Sequence, residues 1–180
     1  MKLNLKKFCI NLSLILIGFV IYFLQSNFFN WFSIGGIKPN LFIIYILFIG
    51  LFGTRSMSII YASALGIFLD LIFNSKIGVN LFGYVLIGVI GTIFNKNFSK
   101  DSRITIMLIS MGTTLICEII AYIYKIINGA SIEVLTFLKI VLIEIIFNLM
   151  IIIIIYPLIR KLGEKLEQVF NEDKILTKYF

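Results

Sequence analysis

Three carboxylates stand inside stretches that are otherwise apolar: Asp70, Glu118 and Glu144. Acidic side chains in such surroundings do one of two kinds of work. They carry protons or line a solute path, or they hold helices together through hydrogen bonds. A charge at the centre of a bilayer costs about 2.5–3.5 kcal/mol on insertion scales, so each must face protein or water rather than lipid. Asp70 lies near the end of its apolar run. There it can snorkel to the headgroups, or contact a partner's span or the loop above it. Glu118 is close to the middle of its run and is expected to act within the bundle. Glu144 lies one helical turn from Asn148, so the two share a face. A relay needs polar positions along several helices, and these runs are mostly Ile, Leu and Phe. Hydrogen bonding between helices is the reading that the residues favour.

Other chemistries lack their residues. The chain has no histidine. It has no Ser/His/Asp set, no H-E-x-x-H, no P-loop and no intramembrane Asp pair with flanking signatures, so no catalytic, cofactor or metal site is expected. Cys9 and Cys117 form no C-x-x-C, and both read as small buried apolar residues.

The elements that must position these groups are membrane helices. Of 180 residues, 60% are hydrophobic and 14% charged, and the mean hydropathy is +1.06. Soluble domains carry about 25% charged residues, so this chain reads as an integral membrane protein. Six spans can be marked, at about 8–24, 40–53, 58–73, 79–94, 104–127 and 137–159, within a transmembrane domain of residues 1–160. The N-terminal run lacks a small-residue cleavage site and reads as a retained helix. Phe28, Phe29, Trp31 and Phe32 follow it and suit a membrane–water interface. The second span is short for a bilayer that needs about 20 residues. Its ends must extend, or the membrane is thin there. Residues 161–180 form a tail in which Leu162, Leu166, Val169 and Phe170 recur at helical spacing. It reads as an amphipathic helix that lies on the inner surface or docks on a partner.

The formal net charge is +7. Its distribution points to orientation, not to nucleic acid. With the N-terminus inside, twelve of the sixteen Lys and Arg residues fall on the inner side. Both termini are therefore expected in the cytoplasm. Ser58, Ala62, Gly66 and Asp70 are spaced by four. Tyr84, Gly88 and Gly91 or Thr92 form a second stripe. Small residues let helices approach closely in lipid. Gly78 and Asn80 suit the tight turn 74–80 between the two runs. A closely packed hairpin with Asp70 near its tip is the expected structural centre.

An ordered set of residues resembles a known family. Pro39-Asn40-Leu41, Gly66-x-x-x-Asp70-Leu71, Gly78-Val79-Asn80, Tyr84, Gly88, Glu118 and Tyr156-Pro157-Leu158-Ile159-Arg160 resemble the rod shape-determining protein MreD family, over about Ile37 to Leu162. Two positions depart from it. The family often has Asp where this chain has Asn40, and a Pro before Gly78 where it has Ser75-Lys76-Ile77. The resemblance implies a bundle of about six helices, similar to the substrate-binding subunits of energy-coupling-factor transporters. It implies a bacterial inner-membrane protein of the lateral wall-synthesis machinery. The implied partners are MreC, a single-span protein, together with MreB, the RodA polymerase and its transpeptidase.

Two functions are compatible with these features. One is a non-enzymatic scaffold for cell shape. The other is a vitamin-binding subunit of an energy-coupling-factor transporter. Residues expected to contact a partner or hold the fold are Pro39, Asn40, Gly66, Asp70, Gly78, Asn80, Tyr84, Gly88, Glu118, Glu144 and Pro157.

Overall fold

A computed structural model describes residues 2–73, 78–97 and 102–170. Among them are six α-helices: α1 (Lys2–Ser26), α2 (Leu41–Phe52), α3 (Arg55–Phe73), α4 (Val79–Asn97), α5 (Arg103–Ile127) and α6 (Val134–Phe170). No β-strand occurs among the described residues; Ile34 and Ile37 form an isolated bridge in the α1–α2 connection. Residues 74–77 of the expected turn and 171–180 of the expected tail lie outside the described residues.

Four helices, α1, α3, α5 and α6, are long and apolar enough to cross a membrane. Of the other two, α2 is short and buried, and α4 packs against α2, α3 and α5 while Phe82, Leu86 and Ile93 stay exposed. α2 is 12 residues, about 18 Å at 1.5 Å per residue. Every α2 residue except Phe48 is buried. Its sequence shows no polar face because no side of it meets lipid or water. A helix that is apolar all round belongs in a core. Neither thinning of the membrane nor a longer helix is needed to explain its length.

The close-packed unit is α2, α3 and α4, with α5 and α6 closing around it. α3 and α4 are antiparallel, since Gly66 meets Leu81 and Gly88 meets Ser58. α2 and α4 are parallel, since Phe42 lies beside Tyr84 and Gly50 against Gly91. The two helices therefore begin at the same end of the bundle, the end that holds the α1–α2 connection. At the other end a tight Gly53–Thr54 turn joins α2 to α3, where Thr54 Oγ1 accepts the Met57 N–H at 3.3 Å. Hydroxyls at this position satisfy the first donors of a helix.

α1 is the exception to this packing. About half of its residues are exposed and most of the rest are only half-buried. Leu14 is its one residue among the buried hydrophobics, and Tyr45 and Tyr61 tie it on through main-chain oxygens of Leu14 and Asn11. Cys9, expected to be buried, is exposed because it lies on this loosely held helix. Cys117 is half-buried, with its Sγ facing Gly83. Trp31 is 88% exposed and Phe28 and Phe32 are exposed beside it, as interfacial aromatics would be. α6 does not stop soon after Pro157 but continues through residues 161–170. There Gly163 lies under the Phe52 ring and Leu166 is buried, so this part of the tail packs on the chain's own α2.

Candidate functional site

The site begins with a physical problem. α2 and α4 start inside the bundle, and the first N–H groups of a helix have no partner within it. In lipid no water answers them. The buried polar side chains solve this for both helices.

For α4 the answer is Asp70, which reaches across from α3. Its carboxylate is 0% exposed. Oδ2 accepts the main-chain N–H of Gly78 at 2.7 Å and of Leu81 at 3.2 Å. Oδ1 accepts the Asn80 N–H at 3.0 Å and the Asn80 amide at 2.9 Å. Gly78 takes φ = +142°, a conformation that a side chain would strain, and so turns its N–H to the carboxylate. An anion at a helix N-terminus also meets the positive end of the macrodipole. Asp70 therefore does not snorkel to the headgroups. It is withdrawn into the fold as the cap of the next helix.

Gly66 makes that reach possible. It lies one turn before Asp70, and a Cβ there would come within 2.5 Å of the Leu81 Cα. Gly88, further down the same seam, would place a Cβ 2.8 Å from the Ser58 Oγ. The predicted stripe of Ser58, Ala62, Gly66 and Asp70 is thus the face that α3 turns to α4, and all four residues are buried.

For α2 the caps come from α1 and α6. Asn148 Oδ1 accepts the Asn40 N–H at 2.9 Å, and Gln25 Oε1 accepts the Leu41 N–H at 3.1 Å. Asn148 also donates to Thr114 Oγ1 on α5 at 2.9 Å. One amide thereby fixes α2, α5 and α6. Pro39, buried just before, accepts the Gln25 amide through its carbonyl at 2.6 Å. One turn from Asn148, Glu144 is buried, and the Glu118 and Asn40 side chains lie within reach of its carboxyl. Glu118 itself is half-buried on α5.

Pro39, Asn40, Asp70, Gly78, Asn80, Tyr84, Glu118 and Glu144 thus gather at one end of the bundle, around the two interior N-termini. Gly66 and Gly88 form the seam below them. Pro157 stands apart, exposed on α6. Gln25 and Thr114 belong to the cluster, and their signal was a polar residue at the end or middle of an apolar run. Gly50 was the one small residue in a bulky run, and it lets α2 touch α4 at Gly91. A cavity of 380 Å³ opens at this end, lined by Asn40, Asn80, Tyr84, Tyr124, Lys38 and Lys125, among others. Among the described residues no group of three or more His, Cys, Asp or Glu side chains is placed to hold a metal ion.

A cluster that caps its own helices makes an architecture, and Pro39, Asn40, Asp70, Gly78, Asn80, Tyr84 and Glu118 of that cluster also carried the resemblance, whereas Gln25, Thr114, Glu144 and Asn148 did not. No curated protein and no solved structure matches the chain. A family model, rod shape-determining protein MreD, matches residues 4–166. Its match covers nearly every described helix, from α1 to the buried end of α6, and the chain belongs to the MreD family of rod shape-determining membrane proteins.

Proposed function

We propose that this chain is a non-enzymatic scaffold of the lateral wall-synthesis machinery in a bacterial inner membrane, with both termini in the cytoplasm. It binds an MreC-like single-span protein within the bilayer. Through that contact it couples MreB filaments to a RodA-type polymerase and its transpeptidase. The observation that carries this reading is α1. It is long and apolar enough to cross the membrane, Leu14 is its one buried residue, and one whole face, with Phe8, Leu12, Leu16, Phe19 and Phe23 exposed, is available to another span. Asp70, by contrast, is spent on α4, and the Asn148 bonds hold α2, α5 and α6 together. These groups support a rigid core rather than a moving relay.

The test is photo-crosslinking in cells, with a crosslinker at Phe19 or Phe23 on the exposed face of α1. The expected product joins this chain to the single-span partner, while a crosslinker at buried Ile46 gives none. Equal capture from both positions, or from neither, overturns the docking role of α1. The cavity is the feature that favours the alternative, a vitamin-binding transporter subunit. That reading predicts tight binding of a vitamin by the purified protein and loss of its uptake on depletion.

A further inference from the structure

The 380 Å³ cavity beside the α2 and α4 N-termini carries charge of one sign. Lys38 and Lys125 line it, and among the described residues no Asp or Glu does. Lys38 Nζ donates to the Gln25 carbonyl at 3.1 Å and to Asn30 Oδ1 at 2.9 Å. Both acceptors are neutral, and an ammonium has a third donor. Lys125 stands exposed in the last turn of α5. Among the described residues neither lysine lies within ion-pairing distance of a carboxylate. Two ammonium groups on one small cavity repel each other, and an anion held by both removes that repulsion.

The same lining has hydrogen-bonding atoms that the fold leaves unused. Ser26 and Asn40 both line the cavity, and the Ser26 Oγ and the Asn40 Oδ1 are each buried without a partner. Buried polar atoms are nearly always paired, so each orphan calls for an explanation. A serine hydroxyl can donate to the oxygen of an anion, whereas an amide oxygen only accepts and needs a donor. Gln25 and Asn80 do not supply that donor, because their amides go to Pro39 and to Asp70. Three donors for an anion and one acceptor for a hydroxyl therefore meet on one cavity, whose volume is that of a small-ligand site.

We propose that this cavity binds a hydroxyl-bearing phosphate ester of the glycerol phosphate type, its phosphate on Lys38, Lys125 and the Ser26 hydroxyl and its own hydroxyl on Asn40 Oδ1. A phosphate offers its oxygens to several donors at once, and lysine meets it as a point charge. The group can arrive free or as the headgroup of a lipid. The site is independent of the scaffold reading, whose test through α1 does not depend on what this cavity holds.

Thermal unfolding of the purified protein tests it with three probes: glycerol phosphate, ethyl phosphate and glycerol. At about ten times its Kd, glycerol phosphate should raise Tm by a few degrees. Ethyl phosphate should act more weakly and glycerol not at all. Ser26→Ala removes a hydroxyl that bonds nothing in the fold, so Tm without ligand should stay the same while the response weakens. Lys125→Gln, at an exposed position, should abolish the response. Lys161→Gln, equally exposed but beyond Pro157 on α6, should keep it. A second arm compares nanodiscs of phosphatidylglycerol with nanodiscs of phosphatidylcholine. If the lipid is the source, the wild type and Lys161→Gln melt higher in the former, free glycerol phosphate adds nothing there, and Lys125→Gln removes the difference. No response in either arm overturns the proposal. So does an equal response to glycerol or to ethyl phosphate, or a response that Lys125→Gln leaves intact.

Discussion

Replacing Asp70 with alanine removes a single carboxylate and strands a whole helix start. The N–H groups of Gly78, Asn80 and Leu81 and the Asn80 amide all lose their acceptor at once. Each buried donor left unpaired costs about 1–3 kcal/mol, and loss of a helix cap about 0.5–2 kcal/mol. The terms share one side chain and do not add. Hydrogen bonds to a charged group are worth about 1.5–3 kcal/mol each, so with several lost at once a loss of about 3 kcal/mol is expected here. At about 2–4 °C per kcal/mol for a chain of this size, even 3 kcal/mol lowers Tm by about 6–12 °C. Thermal unfolding in detergent, followed by circular dichroism or by aggregation, reads this directly. Asp70→Asn keeps one oxygen but turns an NH₂ toward donors, so it should fall between alanine and wild type. Asn80→Ala loses only the side-chain bond and should cost about 0.5–1.5 kcal/mol. An Asp70→Ala protein that melts within about 2 °C of wild type would refute the capping account.

Three further expectations follow from the packing and the charge pattern. Gly66→Ala drives a Cβ into the Leu81 backbone and should cost about 1–3 kcal/mol, whereas Gly88→Ala meets a hydroxyl that Ser58→Ala removes, so that the double variant recovers stability; equal losses in both glycine variants would contradict this. Asn148→Leu strands the Asn40 N–H and the Thr114 hydroxyl and should cost about 2 kcal/mol by chemical unfolding, with wild-type stability counting against the role of that amide. Cysteines placed at Asn30 or Ser131 should react with an impermeant reagent added outside intact cells, and those at Asn97 or Gln168 should not; labelling at Asn97 would reverse the orientation from α4 onward.

Much of this was legible in the sequence because lipid makes strong demands on composition. Every helix announced itself as an apolar run. The spacing of Ser58, Ala62, Gly66 and Asp70 gave the seam between α3 and α4, since small residues at every fourth position have few other uses in lipid. Asp70 was visible as a residue in need of a reason, but the reason was not. Capping is usually read from a residue just before its helix. Here the cap is supplied by a neighbouring helix and bonds across the turn, with glycine near the cap position, so no local spacing marks it. The same holds for Asn148 and Gln25, which cap α2 from far along the chain. α2 itself read as a short span because hydropathy does not distinguish a lipid environment from a protein interior. Only the all-round burial of its residues separates the two. Cys9 went the other way. Its helix is apolar enough to belong to a core, yet faces outward along almost its full length.

The central claim is that this fold holds a wall-building complex together rather than moving a solute. Depletion of the protein from a rod-shaped bacterium, with cell width and vitamin uptake followed in the same culture, tests that claim most directly. The account predicts cells that widen and round up while uptake stays normal, with rod shape restored by the wild-type chain and not by one carrying Asp70→Ala. Cells that remain rods on depletion, and lose uptake of a vitamin instead, would contradict it.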